Sequence, residues 1–330
     1  MALDTLYWEI TDKCPLSCKH CYQGRGANSS RVILSLKESL RRVDVFARNG
    51  IKILLLTGGE PLTNKNIHEI VGHSRSYGLD TAILTSGYLI TKKVAERIAR
   101  ASPNAVQISF DGVGEVHDSI RGEGVFRRVE DAMKNLTEQG VYYYLKMTLN
   151  KLNLSGVLDA VKYCHAKDVL LNFSNAMPIG STQERNIALS PQEYFDVFVM
   201  LHKKKYREGI KMTLPDFALE EYLNGEEVKT MCSAGRRIAA LTFGDLFLPC
   251  PFIAGLGLTE SEGVLSYSDD VINESEKDDL FNVLRKHNET GFGCPLRKFS
   301  GGGKDIYSLE SFIEHTGGGY ESLQKQSQIL

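Results

Sequence analysis

The chain has no hydrophobic run long enough to span a bilayer. Its opening residues, Met1-Ala2-Leu3-Asp4-Thr5-Leu6-Tyr7, lack the basic and apolar regions of a secretory signal. It has no strong charge of either sign: 39 Lys and Arg stand against 41 Asp and Glu, a net charge of −2. No nucleic-acid partner and no membrane surface is therefore expected. No repeat at solenoid spacing is present, beyond strand–helix units. Seven cysteines in 330 residues, three of them tightly clustered, do not form a secreted disulfide framework. Together these absences predict a soluble, cytoplasmic protein. Its 42% hydrophobic and 24% charged residues fit a globular chain of one large domain or two ordinary ones.

What is present is concentrated at one point. Cys14, Cys18 and Cys21 follow one another as C-x3-C-x2-C. Three thiolates on one short loop can wrap a corner of a cubane iron–sulfur cluster, which normally takes four Cys ligands. With three, one iron stays open to a small molecule. A zinc site would need a fourth ligand, and His20 stands too close to Cys21 to close a relaxed tetrahedron. Haem attachment would need C-x-x-C-H, and His20 precedes its Cys instead of following it.

The first half alternates short apolar runs with helical patterns. Strands are predicted at Leu6–Thr11, Ile51–Thr57, Thr81–Thr85, Ala105–Phe110, Tyr142–Leu149 and Val169–Phe173. Helices are predicted at Leu36–Arg48, Asn66–Tyr77, Lys92–Arg100, Phe126–Gln139 and Leu154–Ala166. Six such units imply a parallel sheet. The polar residues then fall at the carboxyl ends of the strands, where barrel enzymes place their chemistry. They are the cysteine loop, Gly58-Gly59-Glu60-Pro61, Ser86-Gly87-Tyr88, Ser109 with Asp111, Asn150, and Asn175-Ala176-Met177-Pro178.

Near residue 180 the rhythm breaks. Ser190-Pro191-Gln192-Glu193 starts a helix predicted to run to about Arg207, and Gly244-Asp245 joins a hairpin of Ala239–Phe243 and Leu246–Leu248. Domains are expected at 1–185 for the barrel, 186–230 for a helical linker, 231–305 for a small C-terminal domain and 306–330 for a tail.

The Cys14/Cys18/Cys21 spacing and Gly58-Gly59-Glu60-Pro61 resemble the signatures of the radical S-adenosylmethionine (radical SAM) superfamily. The resemblance covers about residues 5–180. It implies a partial (β/α)6 TIM-like barrel, a [4Fe-4S] cluster with an open iron on the three cysteines, and S-adenosylmethionine bound to that iron. It further implies contacts to that ligand from His20 near the adenine, Gly58, Gly59 and Glu60 at the amino group, and Ser86. Ser109 and Arg121 would lie at the ribose and carboxylate, and the backbone near Met177 at the adenine. One-electron cleavage would then give a 5′-deoxyadenosyl radical that abstracts hydrogen from a substrate C–H bond.

Cys232-Ser233-Ala234-Gly235 and the run Phe243 to Phe252, with Cys250, resemble the SPASM/twitch extension of that superfamily. The resemblance implies a second, auxiliary [4Fe-4S] cluster on Cys232, Cys250 and Cys294, with no fourth Cys; an empty, degenerate site is the alternative. Sulfatase-oxidising members carry an Asp after the second hairpin Cys, where this chain has Pro251. Cys164, in a helical pattern, reads as a core thiol, with hydrogen donation to a substrate radical as the other use.

Arg121-Gly122-Glu123-Gly124 is similar to segments of peptide-modifying members, so maturation of a ribosomally made peptide is the first expectation. Oxidation or epimerisation of a small sugar or aminocyclitol is the alternative, and a non-catalytic iron–sulfur electron carrier the remote one. Implied partners are a flavodoxin or ferredoxin reductant and a separate peptide-recognition protein, since the cysteine loop begins at residue 14.

Overall fold

The computed structural model describes residues 3–23, 33–215, 217–225, 232–256, 264–282 and 285. Six parallel strands appear in chain order: β1 (Thr5–Glu9), β2 (Ile53–Thr57), β3 (Asp80–Thr85), β4 (Ala105–Ser109), β5 (Tyr143–Leu149) and β6 (Leu171–Asn175). The helices between them are α1 (Leu36–Arg48), α2 (Ile67–Ser76), α3 (Lys92–Ala101), α4 (Glu115–Arg121), α5 (Val125–Glu138) and α6 (Val157–Ala166). A short α7 (Ser181–Glu184) and the long α8 (Pro191–Arg207) follow.

The apolar runs explain the layering. In β2, Leu54 and Leu56 are wholly buried, while Ile53, Leu55 and Thr57 are only partly so. Alternate side chains thus point outward under the helices and inward to the strand mouth. Val106 and Ile108 of β4 and Leu145, Met147 and Leu149 of β5 repeat the pattern. They join helix residues such as Phe46, Ile70, Ile98, Val129 and Val161 in one core. Each fully buried side chain of this kind contributes about 1.5–3 kcal/mol. The Trp8 and Phe46 rings meet edge-on at 5.3 Å, pinning α1 against β1.

Local capping sets two of the helix starts. Ser35 caps α1 through the Glu38 N–H at 3.2 Å. Ser190 and Glu193 form a reciprocal capping box before α8, with Pro191 in its first turn. Two of these helices were not foreseen: α4 is only seven residues and α7 four, too short for an apolar period to declare itself.

The C-terminal hairpin is not a separate sheet. β8 (Ile238–Leu241) pairs in parallel with β1, Thr5 opposite Ile238 and Trp8 opposite Leu241, and antiparallel with β9 (Leu246–Leu248). With β7 (Met212–Thr213) beside β6 and β10 (Leu265–Ser266) beside β9, the order is β10-β9-β8-β1-β2-β3-β4-β5-β6-β7. Nothing local in Ile238–Leu241 announces pairing with a strand more than two hundred residues away.

Candidate active site at the strand mouth

One cavity of about 340 Å³ draws residues from all six central strands. Tyr7, Thr57, Leu84, Gln107, Lys146 and Ser174 are among them. Cys14, Cys18, Cys21, His20, Gly58, Gly59, Ser86, Ser109, Arg121 and Met177 also line it. Residues singled out from distant parts of the sequence are thus brought to one place, while Glu60, Asp111, Asn150, Cys164, Cys232 and Cys250 do not line it.

The cysteine loop is clamped from three sides. At β2, the Gly59 N–H donates to Thr11 O at 2.9 Å and the Glu60 N–H to Lys13 O at 2.7 Å. A Cβ on Gly58 would lie 2.1 Å from Thr11 O, and one on Gly59 2.5 Å from Lys13 O. These glycines are required because two backbones touch there, a use beyond the ligand approach expected of them. From α4, Ile120 O accepts the Lys19 N–H at 2.9 Å; after β6, the Ser181 N–H donates to Cys21 O at 3.1 Å.

The three thiols fit a cubane. Burial pushes Cys14 up to about 11 and raises Cys18 as well, with the neighbouring cysteines adding to both. Such thiols hold protons until a metal displaces them. Among the described residues no three His, Cys, Asp or Glu side chains gather about a single ion position.

Glu60, expected at the ligand, is tied to the protein by its own hydrogen bonds. It is 0% exposed and does not line the cavity. Its Oε1 accepts the Leu62 N–H at 3.1 Å and the Thr85 hydroxyl at 2.6 Å. Its Oε2 accepts the Ser86 N–H at 2.8 Å and the Ser86 hydroxyl at 2.5 Å. A carboxylate has about four lone-pair sites, and all are taken by protein donors. Glu60 therefore ties the β2 turn to the end of β3.

Beside the cysteines lies a buried ionic group. Asp111 accepts Arg121 Nε–H at 2.5 Å and lies 2.7 Å from His20 Nε2; its Oδ1 accepts the Thr148 N–H at 3.2 Å. Burial opposes its ionisation, but Arg121 and then His20 outweigh burial and hold the carboxyl well below its usual range. Arg121 Nη1–H points to Cys18 Sγ at 3.7 Å. So His20 and Arg121, expected at the ligand, are also held by one carboxylate. His117 receives the Asp111 N–H on Nδ1 at 3.1 Å, and burial followed by Arg121 lowers it to about 4.

Cys164 is 2% exposed on α6 within the main core, and burial pushes its thiol up to about 12. It sits in the core and does not line the cavity. Cys232 and Cys250 flank the hairpin, both half-buried, and Cys294 lies outside the described residues. Pro251 and Phe252 line the cavity, and Phe252 meets Tyr22 edge-on at 5.5 Å, joining the hairpin to the cysteine loop.

Asp12 and Lys146 were missed as site residues. Both line the cavity. Burial lowers Lys146, and no ion-pair partner within 4 Å of its ammonium is found among the described residues. The available signal was a charge interrupting an apolar strand, as Lys146 does in β5.

The Radical SAM superfamily profile matches residues 8–164, the span holding the end of β1, the cysteine loop and strands β2 to β5. The chain carries a radical SAM domain. It is 34% identical over 213 residues to an AdoMet-dependent heme synthase of Methanosarcina barkeri, covering 62% of this chain and 59% of that one. It is 27% identical over 259 residues to the mycofactocin maturase MftC of Mycobacterium tuberculosis, covering 75% and 64%. The chain spans about half the length of the curated relatives it matches. The fold is that of Streptococcus suis SuiB bound to its precursor peptide SuiA, with a TM-score of 0.72 at 16% identity, covering 86% of this chain and 67% of that one. The radical SAM partial barrel expected from sequence is therefore present. No described helix is long and apolar enough to cross a membrane.

Proposed function

We propose that this protein binds a [4Fe-4S] cluster on Cys14, Cys18 and Cys21, binds S-adenosylmethionine beside it, and modifies a ribosomally made peptide. When bound, that pair supplies, on one-electron reduction, a 5′-deoxyadenosyl radical able to take hydrogen from an unactivated C–H bond. The chain's own residues do the positioning. Gly58 and Gly59 lock the loop, Asp111 fixes Arg121 and His20, and Ser109, Ser86 and Met177 contribute cavity wall where ribose and adenine would lie. Tyr22, Pro251 and Phe252 close the hairpin side against water.

The observation that carries the peptide reading is the extent of the match to the maturase. Its 259 residues exceed the 157 of the segment 8–164, so the similarity runs well beyond the barrel signature. Cys232 and Cys250, with Cys294, would hold an auxiliary cluster in the 231–305 segment. A flavodoxin or ferredoxin would deliver electrons, and a separate recognition protein would present the peptide.

The test is anaerobic co-expression with each short reading frame neighbouring the gene, followed by mass spectrometry of the recovered peptide. A mass change, or deuterium gained from deuterated water, is expected for one of them. Unaltered peptides throughout, from protein that does cleave S-adenosylmethionine under dithionite, would remove the peptide reading and keep the domain chemistry.

A further inference from the structure

Lys146 is a cavity charge that the proposed chemistry leaves unassigned. It sits in the middle of β5, where Leu145, Met147 and Leu149 turn to the core while Lys146 and Thr148 turn to the cavity. Its partner on β4 is Ser109. The Thr148 N–H donates to Asp111, so Lys146 lies one side-chain step inward of the Asp111–Arg121 group, about 7 Å along the strand.

The wall around it is polar and uncharged. Tyr7, Gln107, Ser109, Thr148 and Ser174 line the cavity with it. Several of these groups serve one another: the Tyr144 hydroxyl donates to Gln107 Oε1 at 3.2 Å, and the Thr148 and Ser174 hydroxyls lie 3.2 Å apart. Among the described residues neither an ion pair nor a hydrogen bond to Lys146 Nζ is found, and burial alone acts on the amine. The protein therefore satisfies neither its charged nor its neutral form. Such a group is costly until a partner joins it.

The nearby carboxylates do not supply one. Asp111 is held by Arg121 and His20, and Asp12, which also lines the cavity, makes no bond to the lysine. The carboxylate of S-adenosylmethionine is expected at Arg121, whose Nη1–H points to Cys18 Sγ at 3.7 Å, at the cysteine end of the cavity. An anion for Lys146 is left to the second molecule that must enter, the substrate.

We infer that Lys146 is a specificity-determining residue that receives a carboxylate of the peptide, from an Asp or Glu side chain or from the C-terminus. This rests on the proposed peptide reading and names the chemistry of the segment that enters. A neutral or cationic segment would leave the ammonium buried and unpaired, so the same lysine discriminates against it.

The experiment uses anaerobically reconstituted full-length protein, with iron counted in every sample. The peptide altered in co-expression is synthesised with two kinds of derivative: each Asp or Glu changed in turn to Asn or Gln, and the C-terminus changed to an amide. On the wild type, one derivative should raise KM about ten- to a hundredfold with kcat kept, the loss of a charge-assisted bond already made in the ground state. The derivative that does so identifies the source of the carboxylate. Lys146→Met should raise KM for the parent peptide by the same factor and show no further loss with that derivative. Lys146→Arg, which keeps the charge, should recover part of the loss. A second arm needs no peptide: thermal melts with N-acetylglycinate or N-acetylglycinamide at equal ionic strength. The carboxylate should raise the melting temperature of the wild type and not of Lys146→Met, and the amide should raise neither.

Equal KM for all derivatives on the wild type would overturn the assignment, and this outcome needs no variant to fold. Additive losses in Lys146→Met would overturn it too, as would an unchanged KM for the parent peptide. Should the wild type cleave S-adenosylmethionine and alter no peptide, the peptide reading falls by itself and the melts decide the lysine. A shift in the wild type alone then keeps the carboxylate site for a substrate of another class; no shift, or equal shifts in wild type and Lys146→Met, removes it.

Discussion

Removing the charge of Asp111 should cost this protein more than removing the ion pair altogether. Side-chain exposure is 0% for Asp111, 10% for Arg121 and 7% for His20, so none of the three has much recourse to water. Asp111→Asn is close to isosteric and leaves no void. The Thr148 N–H at 3.2 Å can still find the amide oxygen, but the new NH2 faces Arg121 Nε–H and the His20 ring. Arg121 would keep only weaker neighbours, Cys18 Sγ at 3.7 Å and His20 Nε2 at 3.5 Å. Breaking a buried pair from one side costs about 3–5 kcal/mol, and Asp111→Asn should fall in that range. Adding Arg121→Met, which fills similar volume without charge, should recover part of the loss. The assay is urea unfolding followed by far-ultraviolet circular dichroism, with the midpoints of both single variants and the double variant compared at constant slope. A loss below about 1 kcal/mol for Asp111→Asn, the scale of an exposed ion pair, would refute this reasoning. So would a double variant as unstable as the sum of the singles.

Three further outcomes are expected. Cys14→Ala/Cys18→Ala/Cys21→Ala should abolish 5′-deoxyadenosine formation, while Cys232→Ala/Cys250→Ala/Cys294→Ala should lower bound iron from roughly eight to roughly four per chain and keep ligand cleavage; equal iron in the second variant and wild type would eliminate the auxiliary cluster. His117 sits at about 4 when folded against roughly 6.5 unfolded, so the unfolded chain binds more protons between those values and stability should fall by about 3 kcal/mol as pH drops through them. His117→Gln should flatten that acid limb in thermal melts, and an unchanged limb contradicts the assignment. Burial holds Lys146 below its ordinary value of about 10.4, so folding sheds its proton first and wild-type stability should rise relative to Lys146→Met as pH climbs toward that value. Melting differences between the two proteins that are identical at pH 7.5 and 9.5 would contradict it.

Much of the barrel was legible because its signals are local. Leu36–Arg48 forms the helix expected, and the Ser190 cap with Pro191 starts α8 where the sequence places it. Strand ends shifted by only a few residues: the sixth runs Leu171–Asn175 rather than Val169–Phe173. The cysteine spacing and the glycine pair also carried their meaning in the primary sequence, since the cysteine loop and the turn that touches it are each built from adjacent residues. On these the family could be named and the strand mouth located.

What remained hidden depends on contacts between distant segments. No local pattern states that β8 joins β1, or that the hairpin brings Phe252 onto Tyr22. Sequence spacing cannot tell which of two carboxylates around one turn the protein itself saturates. Glu60 and Asp12 differ only in what folding packs around them: four donors around the first, none around the second. The same holds for Cys164, whose thiol chemistry is set by the core that encloses it. Residue type and order determined which groups are present and which elements carry them. The tertiary structure decided which of those groups are already satisfied, because hydrogen-bond partners and burial come from chain segments far away in sequence.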